Sequence, residues 1–374
     1  MPQERSKVNK RRGILICGSY GHGNAGDEAI LEAIIAAFRG REPDIPITVL
    51  SRSPEETKKR HGVDAIYKFN MPAVFSAMAK ARLFISGGGS LIQDATSSRS
   101  LYYYLYTIKM AKVLGCKVIM YGCGIGPVRR KFNRLMSRIV IDLFVDSITL
   151  RESDSLDELL SFGVKHPGMQ VSSDPALTLE RAPDKAVDEA MELLGLDKSK
   201  KYLCVVPRKW PGFEEKAECF AQCADRIHEK FGFETVFLSI DHKNDSLAAE
   251  LIAKHMASPC TIARDVFPAR LTMGLLHRME AVISMRLHGL IFSAGQGVPV
   301  TGVSYDPKVN AFLRYIGQES CIDLDELTAD RLIAETERSL ATPARVLIDR
   351  IARLKQLESI NLEEAFKLIN GEEK

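Results

Sequence analysis

Residues 13–34 read GILICGSYGHGNAGDEAILEAI, a short apolar run that passes through four closely spaced glycines into a helical pattern beginning near Asp27. A buried strand followed by a glycine-rich turn and a helix is the repeating unit of parallel α/β architecture. Glycine lets a ligand approach the backbone closely, and the first turn of a helix offers unpaired N–H groups to an anion. The stretch therefore predicts both a parallel sheet and a ligand-binding edge.

The same alternation of short apolar runs and longer helical patterns continues along the chain. The predicted strands begin at Gly13, Ile47, Arg82, Lys117 and Ser147 in the first half and at Tyr202, Glu234, Ala281 and Val298 in the second. The sequence thus predicts an α/β fold of two Rossmann-like domains. Their parallel sheets face a central cleft, with ligands beyond the carboxyl ends of the strands.

Two prolines and a charge cluster interrupt the pattern between Asp174 and Lys185, so we place the domain boundary there. We predict one Rossmann-like domain over residues 1–175 and a second over residues 176–345. The remaining segment, residues 346–374, is predicted to form a helix that packs across or back onto the domains.

Fifty-one Lys and Arg residues against 48 Asp and Glu give the 374-residue chain a formal charge of +3, too balanced for a protein that coats nucleic acid. The eight cysteines are scattered without a C-x-x-C pair, which predicts reduced thiols and no metal site. The basic N-terminus leads into an apolar run too short for a signal peptide, and no other apolar stretch reaches about 18 residues. We therefore expect a cytoplasmic protein without a membrane span.

Two further glycine clusters, SGGGSLIQD at 86–94 and GCGIGPV at 122–128, also end predicted strands. Three such loops meet at one sheet edge, where a wide ligand can lie against the backbone. The first loop lacks G-x-G-x-x-G spacing and leaves three interpretations open: a turn capped by Asn24 and Asp27, a dinucleotide site, or a substrate loop. The candidate ligand-binding residues at this edge are Gly23, Asn24, Asp27, Glu28, Gly88, Gly89 and Asp94.

Cationic side chains follow several predicted strands. In SMRLHGL, residues 284–290, Arg286 can bind a phosphate or carboxylate through two parallel hydrogen bonds, and His288 is a candidate general acid. Either residue alone could equally have a structural role. Three further cations lie at strand ends, namely Arg151, Arg208 and Lys308. The set predicts an anion pocket at the cleft, despite the small net charge.

Outside the cleft, Arg130, Arg134 and Arg138 recur at helical i,i+4,i+8 spacing, with Arg129 and Lys131 beside them. This stripe is either a solvated helix face or a surface attracted to anionic lipid headgroups. The four tyrosines of SLYYYLYT, residues 100–107, either line a sugar site or are simply half-buried.

In combination these segments resemble the polysaccharide pyruvyl transferases, in particular the bacterial enzymes that modify secondary cell-wall polymers for S-layer anchoring. The matching motifs occur in order over about the first 315 residues: GSYGHGNAGDEAIL, ISGGGSLIQD, YGCGIGPV, TLRES, SSDPAL and SMRLHGLIFSAGQGVPVTGVSYDPKV. The resemblance implies a fold similar to the two-domain GT-B glycosyltransferases. It also implies that a pyruvyl group passes from phosphoenolpyruvate to a sugar as a ketal, with release of phosphate and without a cofactor.

The resemblance also implies roles for individual residues. The family's R-L-H triplet, which contributes to phosphoenolpyruvate binding, falls on Arg286, Leu287 and His288. A family lysine falls on Lys308 and a family arginine on Arg151, while Arg208 is our choice for the remaining cation. We predict catalytic roles for His288, Arg286 and Lys308, with His288 protonating the methylene carbon of the donor.

By the same resemblance the first domain binds the acceptor and the second domain binds the donor. The implied acceptor is an N-acetylmannosamine-type residue of a lipid-pyrophosphate-linked precursor, bridged at its 4- and 6-hydroxyls, which would bring the protein to the inner face of the cell membrane. The general base is open among Asp27, Glu28 and Asp94. Two alternatives remain: a GT-B glycosyltransferase that uses a nucleotide sugar, and a two-domain sugar-binding protein without enzymatic activity.

Overall fold

The computed structural model describes residues 11–95, 97–318 and 320–372. Residues 1–10, which carry most of the basic N-terminal segment behind the prediction about a signal peptide, lie outside the described part of the chain. The described residues form two parallel β-sheets, each flanked by helices.

The first sheet has seven parallel strands in the order β3-β2-β1-β4-β5-β6-β7. Its strands are β1 Ile14–Cys17, β2 Ile47–Ser51, β3 Asp64–Tyr67, β4 Leu83–Gly87, β5 Lys117–Cys123, β6 Ser147–Leu150 and β7 Met169–Val171. The helices between them are α1 Ala25–Arg41, α2 Pro54–His61, α3 Met71–Lys80, α4 Ser98–Val113, α5 Lys131–Phe144 and α6 Ser153–Ser161.

The second sheet has six parallel strands in the order β10-β9-β8-β11-β12-β13. Its strands are β8 Tyr202–Val206, β9 Glu234–Phe237, β10 Cys260–Ile262, β11 Ala281–Ser284, β12 Val300–Ser304 and β13 Cys321–Asp323. The helices of this half are α7 Asp184–Leu193, α8 Ala217–Phe231, α9 His242–Ala253, α10 Ala269–His277, α11 Leu287–Gly295, α12 Pro307–Tyr315, α13 Ala329–Ala341 and α14 Ala344–Asn370.

Both sheets follow the doubly wound order, in which the first strand of each half lies beside the fourth. In such a sheet the direction of winding reverses beside the first strand, and a crevice opens beyond the carboxyl ends of the strands at that point. The predicted fold of two Rossmann-like domains with parallel sheets facing a cleft is therefore confirmed.

The central strands consist of buried apolar residues, as expected of strands covered by helices on both faces. All four residues of β1 and all five of β8 are buried. The strands that the apolar pattern did not reveal are β3, β7, β10 and β13, which lie at the edges of the sheets. Each is three or four residues long and partly exposed, so its apolar run is too short to stand out.

The final helix α14 packs across the first sheet as well as against the second half of the chain. It is fixed there by hydrogen bonds from the hydroxyl of Ser172 to the carbonyl of Leu357, at 2.8 Å, and from the hydroxyl of Ser173 to the carbonyl of Leu354, at 2.6 Å. Helix α14 therefore couples the two halves at the back of the cleft. No helix in the described part of the chain is long and apolar enough to cross a membrane.

Candidate functional site

A cavity of about 330 Å³ opens between the two sheets, at the carboxyl ends of their strands. From the first half it is lined by loops that follow β1, β4, β5 and β6, and from the second half by loops that follow β8, β9, β11 and β12. Of the predicted site residues, the cavity brings together Asn24, Asp27, Gly89, Arg151, Arg208, Arg286, Leu287, His288 and Lys308. The sequence argument about strand ends therefore locates this cavity.

The two halves meet directly at the base of the cavity. The backbone N–H of Ala25 donates to the carbonyl of Ile240 at 2.9 Å, and Asn24 and Asp241 form an isolated antiparallel bridge. The side chain of Asn24 caps α1 by accepting hydrogen bonds from the N–H groups of Gly26, at 2.9 Å, and Asp27, at 3.2 Å. The first glycine-rich loop is thus both a capped turn and part of the cavity wall.

Gly26 lies against the ring of His288, across the boundary between the two halves. A methyl group on Gly26 would lie 2.0 Å from Nδ1 and 2.3 Å from Cγ of His288. No side chain larger than hydrogen fits there unless the imidazole moves, so Gly26 fixes the position of the ring.

We expect Gly26→Ala to lower kcat/KM by about 10²-fold, because a displacement of a reacting group by about 1 Å can cost that much. Gly40→Ala is a matched control on the same helix, since a methyl group there meets nothing within 4 Å. Steady-state kinetics of both variants check this expectation, with circular dichroism to compare their folds. Equal activity of the two variants would show that the contact does not position His288.

His288 occupies the first turn of α11 and is enclosed by the cavity wall. Its Nε2 lies 3.7 Å from Oδ2 of Asp174 and has no hydrogen-bond partner among the described residues. Burial lowers the pKa of His288 to about 4, while the nearby carboxylate of Asp174 acts to raise it and the cations of Arg151, Lys308 and Arg286 act to lower it. The imidazole is therefore neutral near pH 7, and its buried Nε2 faces the carboxylate of Asp174 without a hydrogen bond.

Arg286 is held in place by two carboxylates. Its Nε donates to Asp245 at 2.9 Å, and its Nη2 forms an ion pair with Asp241 at 3.1 Å. Asp245 is fully buried and also accepts hydrogen bonds from the N–H groups of Ile240 and Asp241, both at 2.9 Å. This arrangement fixes the guanidinium at the cavity wall, and burial raises the pKa of the Asp245 carboxyl despite its partner Arg286.

Arg151 follows β6 and is almost completely buried. It donates to Glu152 at 2.8 Å, to Asp174 at 3.1 Å and to the hydroxyl of Ser90 at 3.2 Å. Because the Asp174 carboxylate faces both Arg151 and His288, Arg151 is connected to the imidazole through a shared partner. The position of Arg151 suits it to orient the site and to contribute positive potential.

Arg208 follows β8 and lies between two aromatic rings, with its guanidinium carbon 5.0 Å from the ring centroid of Trp210 and 4.8 Å from that of Tyr305. Its Nη1 donates to the hydroxyl of Tyr305, while its buried Nε has no hydrogen-bond partner among the described residues. Among the residues that the structure describes, no carboxylate lies within ion-pair distance of Arg208. Arg208 is therefore a cation with charge to offer to an anionic ligand.

Asp27 and Lys308 lie on opposite walls of the cavity. Burial, reinforced by the neighbouring carboxylate of Glu28, raises the pKa of Asp27 to about 7, while Lys308 acts in the opposite direction. Lys308 is partly exposed and forms an ion pair with Asp306 at 3.0 Å. A carboxyl group that titrates near neutral pH in a ligand cavity is suited to accept a proton from a substrate.

The structure does not bring four of the predicted acceptor-side residues to the cavity wall. The carboxylate of Glu28 accepts from the N–H of Gly21 at 2.7 Å and lies 3.2 Å from Nε2 of His61, so it braces the glycine-rich loop from behind. Asp94 caps α5 instead, accepting from the N–H groups of Arg129 and Arg130. The two remaining residues are Gly23, which is exposed at the loop, and Gly88, which packs against Ile30.

Sequence reasoning missed several residues of the cavity. Trp210 is the only tryptophan in the chain and lies four residues beyond the end of β8, and Tyr305 directly follows β12. Asp241 directly follows the predicted strand ETVFLSI. Their positions after strands are the signal in the sequence that could have revealed them, but they are aromatic or acidic, whereas the predicted anion pocket consists of cations.

The fold defines a two-domain α/β protein of the GT-B fold class, with a cavity between its halves whose walls carry several cationic side chains. A family model described as polysaccharide pyruvyl transferase matches residues 24–307, and the chain belongs to that family. The amylovoran biosynthesis protein AmsJ of Erwinia amylovora is 24% identical over 383 residues, covering 86% of this chain and 90% of AmsJ.

Solved structures support the fold class. HepE of Anabaena in complex with UDP-glucose superimposes with a TM-score of 0.65 at 8% identity, covering 96% of this chain and 100% of HepE. The UDP-GlcNAc 2-epimerase of Neisseria meningitidis gives a TM-score of 0.64 at 11% identity, covering 95% of this chain and 100% of the epimerase. At these identities the likeness concerns the fold alone.

Proposed function

We propose that this chain transfers a pyruvyl group from phosphoenolpyruvate to two hydroxyls of one sugar residue in a polysaccharide precursor, forming a ketal and releasing phosphate. The observation that carries the proposal is the imidazole of His288, whose buried Nε2 has no hydrogen-bond partner among the described residues, at the wall of a cavity that Arg208, Arg286 and Lys308 also line. Membership of the polysaccharide pyruvyl transferase family supports the reaction class.

The cations match the charge of the proposed donor. Phosphoenolpyruvate carries a phosphate and a carboxylate on one carbon, so more than one cationic group is needed to hold both. Arg286 is fixed by Asp245, and Arg208 has no carboxylate at ion-pair distance among the described residues. We assign donor binding to these two residues together with Lys308 and Leu287, which line the same cavity, and with Arg151 behind them.

In the proposed reaction His288 gives a proton to the methylene carbon of the donor, which becomes the methyl group. One sugar hydroxyl then forms a bond to C2 and loses its proton to a base, the C2–O bond to phosphate breaks, and the second hydroxyl closes the ketal with loss of its proton. The two hydroxyl protons balance the one taken up by carbon and the one that leaves with phosphate. Asp27 is our choice for the base because it faces the cavity and its pKa is about 7.

Donor binding and protonation of His288 are coupled in this scheme. The imidazole of the empty site has a pKa of about 4, lowered by burial and by the surrounding cations. A bound phosphate dianion offsets those cations and so raises the pKa of His288. The acid is therefore formed when the donor is in place, which limits proton transfer in its absence.

For the acceptor we propose an N-acetylmannosamine-type residue, bridged at its 4- and 6-hydroxyls, in a lipid-linked precursor at the inner face of the membrane. The motif resemblance to enzymes acting on secondary cell-wall polymers supports this choice, and the relative AmsJ is named for amylovoran biosynthesis. The first-half wall, with Asn24, Asp27 and Gly89, is the acceptor side.

Donor binding can be measured through Trp210, the only tryptophan of the chain, which lines the cavity beside Arg208. We expect phosphoenolpyruvate to change its fluorescence with saturation. Loss of the cation in Arg208→Gln is expected to weaken donor binding by about 10- to 100-fold, since hydrogen bonds to charged groups contribute about 1.5–3 kcal/mol. Calorimetry on the variant checks the affinity without depending on the neighbouring fluorophore.

The neighbouring Lys209→Gln is the matched control, because Lys209 forms an ion pair with Glu214 at 3.2 Å and does not line the cavity. The rival function, a glycosyltransferase that uses a nucleotide sugar, predicts saturation with UDP-sugars instead. A fluorescence response to UDP-glucose or UDP-N-acetylglucosamine without a response to phosphoenolpyruvate would replace the proposed donor by a nucleotide sugar.

A further inference from the structure

Helices α4 and α5 present an unusual row of exposed apolar side chains on the first half of the chain. On α5 the exposed fractions are 62% for Phe132, 49% for Leu135, 39% for Ile139 and 65% for Leu143. These four residues are spaced by three or four positions and thus form one ridge along the helix. The parallel ridge on α4 consists of Tyr102, Tyr106 and Val113, which are 40%, 45% and 61% exposed.

The two ridges belong to one surface. The hydroxyl of Tyr102 on α4 donates to Oδ1 of Asn133 on α5 at 2.6 Å, and the ammonium of Lys109 lies 5.8 Å from the ring centroid of Phe144. We call the combined surface the α4–α5 face, defined by the seven apolar residues just given. Exposed apolar side chains gathered on adjacent helices are typical of an interaction surface.

The α4–α5 face is also strongly basic. Residues 98–144 contain nine Lys or Arg and a single Asp, a charge of +8 in a chain whose total is +3. Arg99, Lys109 and the run Arg129–Lys131 are exposed beside the apolar ridges. Five exposed cations therefore border the α4–α5 face, while Lys112 of the same stretch is ion-paired with Asp146.

The basic stripe predicted from the sequence has a different arrangement in the structure. Arg134 donates to the hydroxyl of Ser161 and lies over the ring of Phe162, at 4.9 Å, while Arg138 forms an ion pair with Asp142 at 3.7 Å. Both arginine side chains are therefore partly buried and lie beside the apolar ridge of α5, not on it. The outermost row of α5 is apolar, with cations at its N-terminal end.

We infer that the α4–α5 face binds the surface of an anionic lipid bilayer, with its apolar ridges entering the headgroup region and its cations contacting acidic lipids. An amphipathic surface with aromatic and aliphatic residues flanked by Lys and Arg is suited to this position. A second copy of the same chain fits less well, because two faces of the same high positive charge repel each other. The inference stands on these exposed residues and does not depend on the proposed function.

The α4–α5 face is linked to the wall of the cavity, so membrane binding at this face would also position the cavity. Asp94 caps α5 through the N–H groups of Arg129 and Arg130, and it belongs to the loop whose residues Ser90, Gln93 and Ala95 line the cavity. The N-terminal end of α5 is thus hydrogen-bonded to the cavity wall. Binding at the α4–α5 face would hold the acceptor side of the cleft close to the bilayer.

Flotation of the full chain with vesicles tests the inference. We expect binding to vesicles of mixed phosphatidylglycerol and phosphatidylcholine, little binding to phosphatidylcholine alone, and loss of binding in about 1 M salt, where the Debye length is about 3 Å. The double variant Leu135→Ser, Leu143→Ser is expected to bind at least about tenfold more weakly, because it removes two of the side chains that enter the bilayer.

Leu193→Ser is the matched control, since Leu193 is 80% exposed on α7, away from the α4–α5 face. It should bind vesicles like the unmodified protein. Absence of binding to anionic vesicles at low salt, or unchanged binding of the double variant, would overturn the inference. Light scattering could instead show that the unmodified protein is a dimer and the double variant a monomer. Together with no vesicle binding, that result would assign the face to a second copy of the chain.

Discussion

Replacement of His288 by glutamine is expected to lower kcat by about 10²- to 10⁴-fold, the usual contribution of a general acid. Glutamine keeps a polar group of similar volume in the space beside Gly26, but it cannot deliver a proton to carbon. Since Arg208, Arg286 and Lys308 remain, phosphoenolpyruvate should still change the fluorescence of Trp210 in the variant. Steady-state kinetics and the fluorescence titration measure the two quantities separately.

His277→Gln provides the control, because His277 is an exposed histidine at the end of α10 that does not line the cavity. It should leave kcat unchanged. If His288→Gln retained full turnover, His288 would have no role as the acid. If it lost donor binding to the same extent as turnover, its role would be to bind the donor.

The second large effect is expected for Asp27→Asn, with a loss of about 10²- to 10⁴-fold in kcat. A base must be deprotonated to act, so the rate of the unmodified enzyme should rise with pH through about 7, the pKa of Asp27. The variant should lose this rise, because asparagine does not titrate. A pH profile of kcat at saturating phosphoenolpyruvate, where the bound dianion raises the pKa of His288, measures the difference.

The melting temperature distinguishes a loss of catalysis from a loss of folding, and the same pKa shift gives its expected direction. The pKa of Asp27 is raised from 3.8 to about 7 in the folded chain, so the stability that its protonated form contributes is lost as the pH rises from about 4 to about 7. Removing the charge should therefore leave the melting temperature at pH 8 equal or higher. Asp94→Asn is a further control, because Asp94 caps α5 and should keep the pH dependence. An unchanged pH profile of Asp27→Asn would eliminate Asp27 as the base.

The sequence predicted the centre of each sheet and missed its edges. The nine predicted strands begin at or within a residue or two of nine strands of the structure, all of them in the interior of the two sheets. Interior strands are covered on both sides and therefore consist of continuous apolar runs. Edge strands such as β3 and β10 are short and partly exposed. Their extended conformation therefore depends more on pairing with a neighbouring strand than on their own amino-acid composition.

The site was predictable where it follows from strand ends and unpredictable where it depends on contacts across the cleft. The positions of Arg208 and Arg286 after strands indicated an anion pocket, because all parallel strands of a sheet end at one edge. The contact of Gly26 with His288 and the shared Asp174 carboxylate join segments far apart in the chain. No local pattern specifies such contacts, since they arise only when the two halves pack together.

The most direct test of the proposed function is transfer of carbon from phosphoenolpyruvate to a sugar. The unmodified protein would be incubated with ¹³C-labelled phosphoenolpyruvate and a panel of aryl-tagged glycosides with free 4- and 6-hydroxyls, including N-acetylmannosamine, and analysed by mass spectrometry and phosphate assay. We predict one labelled ketal on the acceptor for each phosphate released. Transfer of a hexose from a UDP-sugar in the same panel, with no labelled carbon on any acceptor, would contradict the account.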